Sequence, residues 1–136
     1  MSILDTNITV RHLTRDNPAQ QARADAYFQS LAAGAVMARL IEGVLVELVQ
    51  VLESRRLYNT PRPTIQTWLT NLIHMRGVHA LNPQIYLRAL DLYVAHARLS
   101  FVDCLCAAYA EREPDLTVVT FDKDFDRVPT ITRQEP

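Results

Sequence analysis

Four acidic positions stand out by type and by place. They are Asp5 in Ile3-Leu4-Asp5-Thr6-Asn7, Glu47 in Leu45-Val46-Glu47-Leu48, Asp103 in Ser100-Phe101-Val102-Asp103-Cys104-Leu105, and Asp122 in Thr120-Phe121-Asp122-Lys123-Asp124-Phe125. Asp5 and Asp122 each close an apolar or β-branched run, as a carboxylate does when a buried parallel strand delivers it to a sheet edge. Thr6 and Asn7 are N-cap types, so a helix can start there and leave Asp5 beside a helix N-terminus, where open α/β sheets place ligands. Glu47 interrupts an apolar helical surface and must be paired, metal-bound or at the rim of a cleft, because an uncompensated buried charge is very costly. Asp103 lies in the first turn of a helix built of small residues, where the helix dipole favours its charge. Plainer roles exist for each: Asp5 and Asp103 as caps or first-turn acids, Glu47 as a side chain reaching water or an arginine. If the four carboxylates share one cleft they repel one another, and a hard divalent cation relieves the conflict. Mg²⁺ held by a few carboxylates and several waters can activate water and neutralise the charge that develops in phosphodiester cleavage.

The elements that would position these acids can be read from periodicity. Helices are predicted over Pro18 to Ala33, closed by Gly34, and over Gly43 to Arg56, with Leu45, Leu48, Val49 and Leu52 on one face. A stiff turn, Tyr58 to Pro63, leads into a helix marked by Ile65, Trp68, Leu69, Leu72 and Ile73, closed by Gly77. A helix from Pro83 to about Ala97 follows the cap at Asn82, and another runs from Ser100 to near Arg112. Short strands are expected at Val36 to Ile41 and Val78 to Leu81, a central strand at Leu116 to Phe121, and an edge strand at Pro129 to Thr132. Alternation of strands and helices, with right-handed crossovers, gathers the carboxyl ends of the strands, and with them Asp5, Glu47, Asp103 and Asp122, at one edge.

Composition narrows the classes. A chain of 136 residues with 49% hydrophobic content is expected to form a single domain, residues 1–136. No uncharged apolar run approaches the roughly 18 residues of a membrane span, so a soluble, cytoplasmic protein is expected. The net charge of −1 offers no global attraction to nucleic acid. Lys123 is the single lysine among 14 basic residues; arginine suits phosphate contacts, but a GC-rich coding sequence is the favoured account of the bias. Cys104 and Cys106 point to different faces of one helix and are expected as reduced, buried thiols. His12, His74, His79 and His96 lack metal-pair spacing, and three glycines leave no glycine-rich phosphate loop. A receiver-type phosphorylation domain would need paired acids after its first strand, and Asp5-Thr6-Asn7 lacks the pair.

The four acidic motifs, in this order and at this spacing over nearly the whole chain, resemble those of PIN-domain ribonucleases, and in particular the VapC-type toxins of bacterial toxin–antitoxin pairs. The resemblance implies a PIN-like three-layer α/β fold, with a central, mainly parallel sheet of about four to five strands flanked by helices. It implies an endoribonuclease that depends on Mg²⁺ or Mn²⁺, the toxin of a type II pair. By the same resemblance Asp5, Glu47 and Asp103 match the family's metal-binding acids and Asp122 the fourth, with Asp124 substituting for or assisting it. Thr6, Asn7 and Ser100 match supporting polar positions, and Arg11, Arg15 and Lys123 are candidate RNA contacts. Glu42 falls at a strand-to-helix junction and is set aside in favour of Glu47. The implied partners are RNA and a VapB-like antitoxin that places a basic side chain among the acids. The implied assembly is a homodimer, with Trp68 near its interface, that forms a heterotetramer or larger complex with the antitoxin. The alternative is a non-catalytic PIN-like module that binds RNA or protein.

Overall fold

Local signals in the chain account for most of its helices. The computed structural model describes residues 1–113 and 115–136, which divide into two units, Met1–Leu81 and Asn82–Pro136. In the first unit, strand β1 (Ser2–Ile3) passes through Leu4 and Asp5 into helix α1 (Thr6–Thr14), and Asp5 itself is the N-cap. Helix α2 (Pro18–Ala33) starts with the Asn17 side chain accepting from the Gln20 N–H and with proline at its first position. It stops at Gly34, whose φ of 74° lies in the left-handed region and whose N–H donates to Leu31 O. Strand β2 (Ala38–Leu40), helix α3 (Glu42–Glu53), helix α4 (Arg62–His74) and strand β3 (Val78–Ala80) complete the unit.

The three strands form a parallel sheet in the order β1-β2-β3, with Ser2 opposite Ala38 and Ala38 opposite Val78. Parallel neighbours need crossover connections, and the helices supply them. Leu31, Leu40, Leu45, Leu48, Val49, Leu52, Ile65 and Leu69 are fully buried, each such side chain stabilising the fold by roughly 1.5–3 kcal/mol relative to exposure. Gly77 does not close α4, which ends at His74 with Met75 as its C-cap. It lets two backbones meet, since a Cβ there would lie 2.3 Å from Val36 O and 2.7 Å from Leu31 O. His12 stacks on Phe28 at 4.2 Å and its Nδ1 lies 2.6 Å from Asp25 Oδ1, so this histidine is structural, as its spacing suggested.

In the second unit, helices α5 (Pro83–Ala95) and α6 (Phe101–Arg112) pack along each other. Ala89, Ala107 and Ala108 are buried, and side chains this small let two helices approach. Tyr93 and Phe101 meet edge to face at 5.8 Å. Cys104 is buried as expected, but Cys106, on another face of α6, is exposed.

Strand β4 is shorter than its β-branched run predicted: only Val118–Val119 pair, with β5 (Arg133–Gln134) rather than with the first sheet. The ladder stops because the partner offers so few residues. Val118 N–H donates to Thr132 O and Thr120 N–H to Gln134 O. The expected edge strand at Pro129 to Thr132 is accordingly displaced to Arg133–Gln134. The five strands described are therefore three in one parallel sheet and two in another, with the six helices giving an α/β fold. A 3-10 helix, Lys123–Arg127, connects β4 and β5. Among the described residues no helix is long and apolar enough to cross a membrane.

Candidate active site

In the unit Met1–Leu81, β1 is joined to β2 by the bond from Leu4 N–H to Arg39 O, and the next residue, Asp5, is exposed at the strand-to-helix corner. Its Oδ2 accepts the Asn7 N–H at 3.2 Å, and its carbonyl accepts the Thr9 hydroxyl at 3.1 Å. Asp5 is thus a cap, as the plainer account held, yet capping uses only one of its two carboxylate oxygens. Thr6 beside it is 3% exposed, and its Oγ1 has no partner among the described residues. A buried hydroxyl left without a partner is costly and calls for a water or ligand. Glu47 is exposed on α3, while Leu45, Leu48 and Val49 around it are buried, so its carboxylate faces water. Glu42 stands in the first turn of the same helix and is half-buried.

In the unit Asn82–Pro136, Ser100 and Asp103 form a reciprocal capping box. The Asp103 N–H donates to Ser100 Oγ at 3.1 Å, and the Ser100 N–H donates to Asp103 Oδ2 at 2.9 Å. The Ser100 N–H therefore orients the Asp103 carboxylate, again through one oxygen, and the Ser100 hydroxyl holds the Asp103 backbone. Asp122 repeats the device, because its Oδ1 accepts the Asp124 N–H at 2.8 Å at the start of the 3-10 helix and its own N–H donates to Thr120 Oγ1 at 3.0 Å. Asp5, Asp103 and Asp122 each leave a second carboxylate oxygen with no partner among the described residues.

Asp124 differs from these three. It is half-buried, and its Oδ1 faces two guanidinium groups, Arg127 Nε at 3.3 Å and Arg98 Nη1 at 3.6 Å. Its charge is already answered by cations, whereas that of Asp122 is not. Arg98 and Arg127 were not legible as partners of an acid in the sequence. Lys123, the residue before Asp124, is exposed.

Arg15 is exposed, at the left-handed residue that ends α1. Arg11 is held from three sides: its Nε donates to Gln20 Oε1 at 2.8 Å, and its Nη1 to Asp16 Oδ1 at 3.1 Å and to the Tyr58 hydroxyl at 3.5 Å. Tyr58 donates in turn to Asp16 Oδ2 at 2.6 Å, and that bond leads the causes that hold the Asp16 carboxyl below its ordinary value. A pocket of about 440 Å³ opens beside Asp5, walled by Asn7, Ile8 and Arg11 of α1 and by Gln20, Arg23, Ala24 and Tyr27 of α2. From sequence, Ala24 and Tyr27 belong to the apolar face of α2 and Gln20 and Arg23 largely elsewhere, yet all four line this pocket, in keeping with their i, i+3, i+4, i+7 spacing.

The donor set consists of hard carboxylate oxygens, which suit Mg²⁺ or Mn²⁺ rather than a soft metal. Among the described residues no three His, Cys, Asp or Glu side chains lie close enough to form a protein cage for an ion. Mg²⁺ does not need such a cage, since it keeps several waters and takes one or two carboxylates together with substrate phosphates. Within its own unit, each capping aspartate offers one spare carboxylate oxygen of the hard type that this mode of binding uses.

The profile of the PIN domain family matches residues 2–131, nearly the whole chain. No curated protein is a significant match.

Proposed function

The chain belongs to the PIN-domain family, whose fold is generally a nuclease fold that commonly uses divalent ions such as Mg²⁺, and on that premise we propose that it is a metal-dependent endoribonuclease, the toxin of a type II toxin–antitoxin pair of the VapC type. The observation that carries this reading is the shared state of Asp5, Asp103 and Asp122. Each is oriented by a backbone N–H and keeps a second carboxylate oxygen for a ligand. Carboxylates fixed in this way lose little freedom when they engage a cation, which is the preorganisation a catalytic site needs.

By the family's motifs, Asp5, Asp103 and Asp122 are the acids from which one or two carboxylates would hold Mg²⁺ or Mn²⁺ together with water and phosphate, with exposed Glu47 as the fourth acid of the set. When bound, the ion would supply charge neutralisation at the phosphate and a water of lowered pKa. The chain's own residues do the positioning. The Ser100 N–H fixes the rotamer of Asp103, and the buried Thr6 hydroxyl, with the Asn7 amide, can orient a water at Asp5. Asp124, already paired with Arg98 and Arg127, takes a supporting role.

An antitoxin would inhibit by placing an arginine among the acids, a pairing of the kind that Asp124 already makes within the chain. A homodimer is the expected assembly, with half-buried Trp68 of α4 near its interface. Light scattering at micromolar concentration that gave only the monomer mass, with or without antitoxin, would count against the dimer.

The test of activity pairs cleavage with metal binding. Single-stranded RNA should be cut in Mg²⁺ or Mn²⁺ and left intact in chelator. The same ions should raise the melting temperature, contributing about 2.7 kcal/mol at a hundred times the dissociation constant. Undiminished cleavage in chelator would overturn the proposal.

A further inference from the structure

We propose that the pocket between α1 and α2 is a nucleotide subsite, in which Arg11 and Arg23 hold a phosphate of single-stranded RNA and Tyr27 receives the attached base. The inference rests on the nuclease reading, because the pocket shares Asp5 with the acids assigned to cleavage. Its volume, about 440 Å³, is in the range of pockets that enclose small organic ligands.

The charges favour an anion away from the Asp5 end. Arg11 is immobilised by Gln20, Asp16 and Tyr58, and its Nη2 keeps no partner among the described residues. Arg23 is exposed and has no ion pair among them. A fixed guanidinium beside an unpaired one suits a phosphodiester, whose oxygens accept from several N–H donors at once. Because Arg11 is held before any ligand arrives, little ordering remains to be done on binding.

The remaining walls suit a base. The Tyr27 hydroxyl lies 2.9 Å from Ser2 Oγ, and its ring stands edge-on to Phe28 at 6.2 Å, so two neighbours hold the ring in place. Ile8 and Ala24 add apolar surface, and the Asn7 and Gln20 amides add donors and acceptors that can read a base edge. Stacking on an aromatic ring accepts any base, while amides discriminate among them. The pocket therefore contributes both affinity and preference for the nucleotide beside the cut.

The test uses the full chain in chelating buffer, where binding is separate from cleavage. Calorimetry with adenosine and uridine 5′-monophosphates, adenosine and inorganic phosphate should give tighter binding of the nucleotides than of either part. Arg23→Gln should weaken nucleotide binding and lower the slope of log affinity on log salt by about one. Tyr27→Leu should weaken nucleotide binding roughly tenfold and leave inorganic phosphate unaffected. Arg56→Gln, which removes the same charge from an exposed loop outside the pocket, should match wild type. With Mg²⁺ present, Arg23→Gln should raise KM for RNA and leave kcat unchanged.

Equal nucleotide affinity for wild type and Arg23→Gln overturns the subsite, whether or not Tyr27→Leu folds, and binding of phosphate alone removes the base-binding half. Cleavage that persists with unchanged KM in Arg23→Gln overturns the subsite and leaves the nuclease intact. Nucleotide binding that depends on Arg23 in a chain that cuts no RNA keeps the subsite and overturns the nuclease.

Discussion

The corner at Asp5 and the corner at Asp122 are built alike and end in different electrostatic states. Each follows a two-residue parallel strand, and in each an aspartate caps the next helical turn through the N–H two residues on, Asn7 at 3.2 Å and Asp124 at 2.8 Å. At the first corner the nearby cations, Arg11 and Arg23, line a pocket beside the acid and make no ion pair with it. At the second, Arg98 and Arg127 converge on Asp124. Capping leaves a carboxylate oxygen for a ligand, whereas pairing with two guanidinium groups consumes the charge a ligand would need. In its capping bond and its lack of an ion pair among the described residues, Asp122, and not Asp124, resembles Asp5.

The sharpest way to break this comparison is to neutralise the capping acids without changing their shape. Asp5→Asn and Asp103→Asn should each slow RNA cleavage by at least about a hundredfold. The metal-free fold should be no less stable, because asparagine also caps and repulsion is relieved. Cleavage rates on a defined RNA and melting curves in chelator check both halves. Glu42→Gln, Asp91→Asn and Asp115→Asn should leave the rates nearly unchanged, and a large loss in any of them would mean that the acids have been assigned wrongly.

A second pair of variants ranks the two neighbours. Asp122→Asn should lose about as much activity as Asp5→Asn, while Asp124→Asn should stay within about tenfold of wild type. The reverse order would show that the ion pairs at Asp124 give way to a ligand, and the contrast between the corners would fail.

Smaller effects probe the scaffolds. Ser100→Ala breaks one half of the capping box and should cost about 1 kcal/mol in urea unfolding, with a loss of activity as Asp103 loosens. Smallest is the pair made by Arg88 and Glu111, with bonds of 2.7 Å. The Arg88 bond, reinforced by the Thr130 hydroxyl, holds the Glu111 carboxyl below its ordinary 4.5. A depressed folded value means that the stability is present above that pH and is lost as pH falls through the folded value. The melting temperature of Arg88→Gln should thus lie slightly below wild type at neutral pH, by under about 1 kcal/mol in stability, and the gap should close in acid. A gap that widened in acid would assign the effect to packing.

What the chain determined by itself lies within a few residues of each feature. Asn17-Pro18 opens α2 and Gly34 closes it where expected, and Ser100 with Asp103 sets the start of α6, because caps join side chains to backbone groups one turn away. The capping roles of Asp5, Asp103 and Asp122 were legible for the same reason, as each sits where a helical turn begins, whereas Glu47 lies in the middle of α3. Pairing was not legible. The β-branched run Leu116 to Phe121 promised a longer strand than Val118–Val119, since a strand extends only as far as another segment offers backbone partners. Exposure of Cys106, the cations on Asp124 and the clamp of Tyr58 on Arg11 likewise depend on residues remote in sequence. Tertiary structure decided these features because charge pairing and burial follow distance in space, which hydrophobic periodicity specifies for one face of one element and not for the side chains that another element brings to it.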